Sequence, residues 1–453
     1  MNPATSFAQL DSLVALITSA VNDAKEEYSR LNLAVPDLAS VDAHPMDSMP
    51  VPRKLKKAAE IVNGACAQLS TLLLSPYHAL YLRCNDYITS ISMRVAYEAK
   101  VADHLKEHPQ GLHVSEIAAR NGLEQGKLAR LLRVLATKQC FREVKDDVFA
   151  NNRLSVLLCS GTPSAGIVGL SLTEQFQGGN VLYQTLTDKV TGPSYAPNHS
   201  SFSRAHGGHP LWQYYREVNP AYGKRFSAAM KGFGHTLSTE TMVHGFPWNN
   251  LPPETSVCDL GSGIGYISLD IMRLNPGVRI VLQDLEETIE HAKAFWQDNA
   301  HEAVSEGRVR FVPVDFFKEP PVAGCDIYYI KQCIHNWKDE ESKVLLANIR
   351  KVMKPTSRII LQEYVMPHLS PSSEDSEEAH FIAQAPAPLL PSFGEGRLLQ
   401  HYLDIAVMIL TNSRERTLSE FKQLGNAVGL EIAEVWDCGE LSALEYRLPQ
   451  GST

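Results

Sequence analysis

A glycine-rich turn at residues 259–265 has the residue types and spacing of a ligand-binding loop. It reads Asp-Leu-Gly-Ser-Gly-Ile-Gly, follows an apolar run at 256–260 and precedes an amphipathic stretch at 266–274. That order predicts strand, turn and helix. Glycines permit positive φ and close approach of a ligand, and the helix start behind them presents unpaired N–H groups. The motif predicts a site for a nucleoside cofactor, with these candidate contacts: Asp259, Gly261, Gly263 and Gly265.

A second acid supports the same prediction. Residues 278–283 form a run rich in β-branched residues that leads into Asp284. A carboxylate in this place can accept hydrogen bonds from both hydroxyls of a ribose. The dinucleotide fingerprint G-x-G-x-x-G ends one residue later than the present motif. An isolated glycine loop is often an ordinary turn, but the strand, helix and second acid around this one favour the cofactor site.

A histidine after another expected strand is the candidate for proton transfer. The strand at 325–330 leads into Lys331 and then His335. Because the carboxyl ends of parallel strands meet at one edge of a sheet, His335 is expected near the reactive group of the cofactor. A neutral imidazole is a suitable base for an acidic hydroxyl. A lone histidine beside a strand is also often structural, so the residues alone leave both interpretations open.

Two acids are candidates for orienting this histidine. Glu363 ends the strand expected at 358–363, and Glu415 lies in the run Arg-Glu-Arg-Thr at 414–417. A carboxylate that accepts one ring N–H fixes the tautomer and stabilises the imidazolium. The candidate catalytic set is therefore His335, Glu363 and Glu415. No metal site is expected, because the eight cysteines are scattered singly without a C-x-x-C pair.

Alternating strand and helix patterns from residue 256 onward predict the elements that position these residues. Such alternation indicates a parallel sheet covered on both faces, a Rossmann-like doubly wound α/β fold. Its strands are expected at 256–260, 278–283, 308–312, 325–330 and 358–363, followed by an antiparallel pair at 430–437 and 441–447. The final helix begins at a capping box, Thr417 with Glu420, and ends before Gly429. An acidic, proline-rich insert at 367–397 interrupts the pattern.

The N-terminal half is predicted to be mainly α-helical. Residues 113–151 follow the order helix, turn, helix and hairpin of a winged helix, with Ser115 as the expected cap of the first helix. The second helix has basic residues at three-residue spacing, as a DNA-recognition helix would. Residues 113–150, however, hold seven Lys and Arg against five Asp and Glu. This small excess favours a winged helix that packs against a second subunit.

Four segments are expected along the chain. They are an N-terminal helix and linker at 1–53, a winged-helix dimerisation domain at 54–170, connecting helices that wall the pocket at 171–235, and the cofactor-binding catalytic domain at 236–453. The net charge of −9 argues against a nucleic-acid partner. The chain shows no signal peptide and no apolar run long enough to span a bilayer. With its single cysteines, this predicts a cytoplasmic protein that acts on a small molecule and has no membrane partner.

The motifs resemble those of a known family. Asp-x-Gly-x-Gly-x-Gly is similar to motif I of class I S-adenosylmethionine-dependent methyltransferases. From about residue 55, the chain resembles the caffeic-acid-type O-methyltransferases, and its first fifty residues and the 367–397 insert resemble the fungal secondary-metabolite branch. The resemblance implies S-adenosylmethionine as the cofactor and a homodimer formed through the N-terminal domain. It also implies three more cofactor contacts: Asp315, Phe316 (or its neighbour Phe317) and Lys331.

The resemblance implies methyl transfer to a phenolic or enolic hydroxyl of a fungal secondary metabolite, with His335 as the base. Some fungal relatives instead catalyse dehydration and pericyclic ring closure, and they use the charge of the bound cofactor without giving up its methyl group. His335 suits either chemistry. The family pattern His-Asp-Trp is here His335-Asn336-Trp337, so one charge near the base is missing.

Overall fold

The chain forms two compact units, residues 1–236 and 237–453. The computed structural model describes residues 3–236, 243, 245–370 and 384–449. The first unit is largely helical, and the second is an α/β unit built on a seven-stranded sheet. The predicted fold class is confirmed, whereas the finer limits at 53, 170 and 235 stay predictions. None of the described helices is long and apolar enough to cross a membrane.

The first unit combines many helices with one small sheet. Its α-helices are α1 Pro3–Arg30, α2 Arg53–Leu73, α3 Pro76–Cys84, α4 Tyr87–Glu98, α5 Val101–Leu105, α6 Val114–Asn121, α7 Gln125–Thr137, α8 Pro163–Leu170, α9 Phe176–Asn180, α10 Leu182–Thr187, α11 Ser201–Ala205, α12 Leu211–Gln213 and α13 Pro220–Thr236. Two π-helical turns lie at Ser171–Gln175 and Tyr214–Val218. The strands β1 Leu112–His113, β2 Arg142–Lys145 and β3 Val148–Ala150 pair antiparallel in the order β1-β3-β2.

The helix, turn, helix and hairpin order of a winged helix is present at α6, α7, β2 and β3. The expected cap at Ser115 is wrong. Helix α6 already begins at Val114, so His113 caps it, and its side chain accepts a hydrogen bond from the Ser115 backbone N–H. The basic face of α7 is partly engaged within the unit, because Arg133 forms ion pairs with Glu143 at 2.8 Å and Asp147 at 2.7 Å on the hairpin.

The second unit contains the large sheet in the order β6-β5-β4-β7-β8-β10-β9. Its strands are β4 Ser256–Leu260, β5 Arg279–Asp284, β6 Val309–Pro313, β7 Ile327–Lys331, β8 Arg358–Glu363, β9 Glu431–Cys438 and β10 Leu441–Arg447. The helices are α14 Tyr266–Leu274, α15 Glu286–Asn299, α16 His301–Ser305, α17 Asp339–Arg350, α18 Leu398–Thr411 and α19 Leu418–Ala427. Strands β4 to β8 are parallel, and β10 pairs antiparallel with both β8 and β9.

The two faces of this sheet bury separate apolar clusters. Val257 of β4 belongs to one cluster, and its neighbours Cys258 and Leu260 belong to the other. Successive side chains of a strand point to opposite faces, so a strand covered on both sides is apolar throughout. Because β4 pairs parallel with both β5 and β7, the carboxyl ends of these strands lie at the same edge of the sheet. That edge carries the glycine loop, Asp284 and the turn that holds His335.

The insert is only partly within the described structure. Residues 371–383 of it lie outside the described residues. In the remaining part, Leu389 is buried whereas Leu390 is exposed, and a short 3₁₀ turn at Gly394–Arg397 leads into α18. The predicted capping box at Thr417 and Glu420 is present at the start of α19.

Candidate active site

The glycine loop joins β4 to α14 in a conformation that requires glycine. Gly261, Gly263 and Gly265 have φ of +69°, +57° and +74°, values that other residues rarely adopt. A Cβ on Gly265 would lie 2.6 Å from Leu282 Cδ1 and 2.8 Å from Trp296 Nε1. A Cβ on Gly263 would meet nothing within 4 Å. The loop therefore packs tightly on the protein at one glycine and leaves open space at another.

Two of the three acids in the predicted cofactor set, Asp284 and Asp259, occupy different environments. Asp284 lies at the loop: its carboxylate accepts hydrogen bonds from the backbone N–H of Gly263 at 2.9 Å and of Leu285 at 2.7 Å. Burial raises the pKa of Asp284, and these bonds oppose the rise. Asp259 lies behind the loop and accepts a hydrogen bond from Ser268 Oγ of α14 at 2.6 Å. Burial raises the pKa of Asp259 to about 7.

The other predicted cofactor contacts follow β6 and β7. Asp315 accepts a hydrogen bond from Phe317 N at 3.1 Å and pairs with Lys318 at 2.8 Å, and these contacts lower its pKa. Lys331 donates a hydrogen bond to Gln332 Oε1 at 2.6 Å.

An aromatic cluster adjoins the glycine loop. Phe316 and Trp337 pack on Phe317 with ring centroids 4.7 and 4.6 Å away. A Cβ on Gly261 would lie 2.9 Å from Cys333 Sγ and 3.9 Å from Phe316 Cε1. The chain segments after β4, β6 and β7 therefore meet at the glycine loop. Backbone N–H groups, a carboxylate acceptor and apolar rings fit the ribose and the base of a nucleoside cofactor.

His335 stands on a 3₁₀ turn, Ile334–Asn336, directly after β7. Its Nδ1 is 2.7 Å from Glu415 Oε1 and 3.7 Å from Glu363 Oε2. The structure thus brings together all three residues of the candidate catalytic set. With Nδ1 facing the carboxylates, Nε2 is the ring nitrogen left to accept a proton from another molecule.

Hydrogen bonds fix the carboxylate of Glu363 and the backbone of Glu415. Glu363 Oε1 accepts hydrogen bonds from the N–H groups of Cys333 at 2.9 Å and Ile334 at 3.0 Å. The backbone N–H of Glu415 donates to Asp404 Oδ1 of α18 at 2.8 Å. Asp404 was not among the predicted site residues, although it is the single acid of the apolar helix Leu-Leu-Gln-His-Tyr-Leu-Asp-Ile-Ala-Val-Met-Ile-Leu-Thr.

The charges of this cluster favour a proton on the histidine. Burial lowers the pKa of His335, but the charges of Glu415 and Glu363 and the hydrogen bond to Glu415 outweigh it and raise the pKa to about 9. Burial raises the pKa of Glu363 to about 7, against the opposing effect of His335. The site therefore stabilises an imidazolium once a proton has arrived. The ligand atoms of the three side chains also lie within 4.8 Å of one another, and the absence of a metal stays a prediction.

Comparisons with known proteins agree on one family. The O-methyltransferase domain family matches residues 183–431, and the O-methyltransferase dimerisation domain family matches residues 82–161. The chain is 36% identical to 3-O-methyltransferase 2 of Phanerochaete chrysosporium, with 97% of both chains covered. It is 27% identical to sterigmatocystin 8-O-methyltransferase of Aspergillus parasiticus, over 94% of this chain and 95% of the relative.

A solved structure agrees in fold. The crystal structure of OxaC in complex with SAH and oxaline superposes with a TM-score of 0.69 at 20% identity, covering 96% of this chain and all of that chain.

Proposed function

The chain belongs to the O-methyltransferase family and is an S-adenosylmethionine-dependent enzyme, and we propose that it methylates a phenolic or enolic hydroxyl of a fungal secondary metabolite. The observation that carries this proposal is the buried His335 beside two carboxylates at the edge of the sheet that carries the glycine loop. Phenols and enols are acidic enough for an imidazole to deprotonate. The relative that acts at the 8-hydroxyl of sterigmatocystin supports the same class of acceptor.

In this proposal the neutral form of His335 is the general base; because the pKa of His335 is raised to about 9, the share of this form grows as the pH rises toward that value. Its Nε2 takes the proton of the acceptor hydroxyl, while Glu415 holds Nδ1 and Glu363 adds a second negative charge. Bound S-adenosylmethionine supplies a methyl group on a positively charged sulfur, and the products are a methyl ether and S-adenosylhomocysteine. The proton on His335 then returns to solvent. Holding the acceptor oxygen in line with the methyl carbon supplies much of the remaining rate enhancement.

The cofactor is proposed to lie against the glycine loop, with Asp284 accepting hydrogen bonds from the ribose. The open space at Gly263 and the neighbouring aromatic cluster support this placement. The candidate contacts to the rest of the cofactor are Asp259, Gly261, Gly265, Asp315, Phe316 and Lys331.

The test is a methyl-transfer assay with labelled S-adenosylmethionine and two probes, sterigmatocystin and a set of simple phenols. We expect product mass to rise by one methylene group. His335→Asn is expected to lower kcat by about 10²–10⁴-fold, as loss of a general base does, while the Kd for S-adenosylmethionine, measured by calorimetry, stays within about twofold because nothing is removed from the loop. The control is His301→Asn, at the exposed first residue of α16. An unchanged kcat in His335→Asn would rule out the proposed base.

The same assay separates methyl transfer from pericyclic chemistry. A ring closure that uses only the charge of the cofactor gives an isomeric product, and a dehydration lowers the product mass by one water. Either result without transfer of label would favour the alternative.

We further propose that the enzyme works as a homodimer in the cytoplasm. The match to a dimerisation domain at residues 82–161 supports the dimer. The eight cysteines, all within the described residues, are free thiols, which suits a reducing compartment.

A further inference from the structure

Arg416 is a buried cation beside the turn that carries His335. The proposed methyl transfer gives this cation no role. Its side chain is only 1% exposed. Nη1 donates to the carbonyl oxygen of Ile334 at 3.1 Å, and Nη2 donates to that of Trp337 at 2.7 Å. These two carbonyls stand on either side of His335. One guanidinium therefore holds both ends of the turn that presents the histidine.

A carboxylate and a hydroxyl hold the guanidinium in turn. Arg416 Nε and Nη2 both donate to Asp339 Oδ1, at 3.1 and 2.9 Å, and Nη2 also donates to Ser342 Oγ at 3.2 Å. Burial raises the pKa of Asp339, but its bonds to Arg416 outweigh this and lower it. The buried cation thus has a charged partner, without which it would be strongly destabilising.

The backbone of the same residue ties the two acids to the turn. Arg416 O accepts a hydrogen bond from Met366 N at 2.9 Å, which fixes the chain just after the strand that ends in Glu363. Glu415, the partner of His335 Nδ1, is the residue directly before Arg416. All three members of the candidate catalytic set are therefore connected through Arg416.

We propose that Arg416 is a positioning residue for methyl transfer: its guanidinium sets the turn that carries His335, so that Nδ1 stays on Glu415 while Nε2 faces the acceptor. This inference rests on the proposed role of His335. It requires an arginine, because only the planar fork offers donors to two carbonyls and a carboxylate at once. A lysine keeps the charge but has a single ammonium group that cannot span these acceptors.

The test is Arg416→Lys, which keeps the positive charge but removes the guanidinium bonds to the two carbonyls of the turn. We expect kcat to fall about tenfold or more, as a misplaced catalytic group does, while the Kd for S-adenosylmethionine stays within about twofold. A second readout needs no acceptor: the titration of His335, followed by NMR with ¹³C-labelled histidine and assigned with His335→Asn. Its pKa should fall by about one unit, because the 2.7 Å bond to Glu415 loosens.

The matched control is Arg414→Lys, in the same loop, whose guanidinium also contacts Asp339, at 3.3 Å, but is 38% exposed and bonds no carbonyl of the turn. It should leave kcat and the His335 titration unchanged. Ser342→Ala provides a milder version should Arg416→Lys not fold, because it removes one neutral acceptor of Nη2 and leaves the charged partner Asp339 in place. It should shift kcat and the His335 titration less, in the same direction. A lower melting temperature with wild-type kcat and titration would overturn the proposal. If no acceptor is ever methylated, a shifted His335 titration would still support the positioning role while the proposed reaction fails.

Discussion

His335, Glu363 and Glu415 form a buried cluster of one imidazole and two carboxyl groups. The 2.7 Å contact to Glu415 is a direct hydrogen bond, whereas Glu363, 3.7 Å away, acts through its charge. A ring held in this way has a fixed tautomer and orientation before the acceptor arrives. The same arrangement makes folding depend on protonation, since the histidine gains these partners only in the folded chain.

Stability should therefore depend on pH through His335. Its folded pKa of about 9 exceeds the ordinary value of 6.5, so the folded state binds the proton more tightly. The resulting stabilisation, on the order of 3 kcal/mol, is fully present below pH 6.5 and is lost as the pH rises through 9. We expect the stability difference between the wild type and His335→Asn, from urea unfolding of the ligand-free protein, to shrink by about this amount between pH 6 and 9.5.

The control for this measurement is again His301→Asn, whose side chain is exposed. It should differ from the wild type by the same amount at every pH. If the free energy of unfolding of His335→Asn also differs from that of the wild type by the same amount at every pH, the carboxylates do not hold the proton on His335 in the folded protein.

Single residues differ in how far the sequence could identify them. His335, Glu363 and Glu415 were predictable because each follows or ends a recognisable strand or precedes a capping box. Asp404 could be singled out as the one acid of an apolar helix, but its partner could not be predicted, since it bonds a backbone N–H eleven positions away that belongs to no motif. Arg416 was visible in the run at 414–417, but no pattern in the sequence reveals that a charged side chain will be fully buried.

At the scale of elements, the large sheet was the most predictable part. Its strands are buried on both faces, so each is a short apolar run with clear ends, and the observed strands differ from the predicted ones by no more than two residues. The largest shift is at β7. Cys325 N donates to Tyr328 Oη rather than to the neighbouring strand, and residue pairing with β4 and β8 begins at Ile327. The two π-helical turns of the first unit were not predictable, because an i→i+5 bond leaves no mark on composition.

The turn between β4 and α14 should not tolerate a side chain at Gly265. Gly265→Ala puts a Cβ within 2.6 Å of Leu282 Cδ1 and 2.8 Å of Trp296 Nε1, at a φ of +74°. We expect a loss of about 2–4 kcal/mol in the free energy of unfolding, from positive φ and overpacking together. Thermal and urea unfolding of the ligand-free protein measure it.

Gly263→Ala is the matched control for that variant. Its φ is also positive, but its Cβ meets nothing within 4 Å. It should cost only the conformational penalty of about 1–2 kcal/mol. Equal losses in the two variants would show that contact with Leu282 and Trp296 is not what requires glycine at 265.

At the scale of the whole molecule, several large apolar and aromatic side chains of α3 and α4 are exposed to solvent in a single chain. Tyr77, Leu80 and Tyr81 of α3 are 88%, 63% and 70% exposed, and Tyr87 of α4 is 53% exposed. Residues three and four apart lie on one face of a helix. Exposed apolar faces of this kind mark protein interaction sites, and α4 lies inside the segment matched by the dimerisation domain.

We therefore expect Tyr87→Glu combined with Ile91→Glu, on neighbouring turns of α4, to weaken the dimer. Burying an unpaired carboxylate at an interface costs at least about 1–3 kcal/mol, so the dimer Kd should rise about tenfold or more. Analytical ultracentrifugation over a concentration series measures it. Val344→Glu, at a position that is 42% exposed on α17 of the other unit, is the control for added charge. If the α4 variant stays as dimeric as this control while remaining folded, the interface lies elsewhere and the exposed residues on α4 need another explanation.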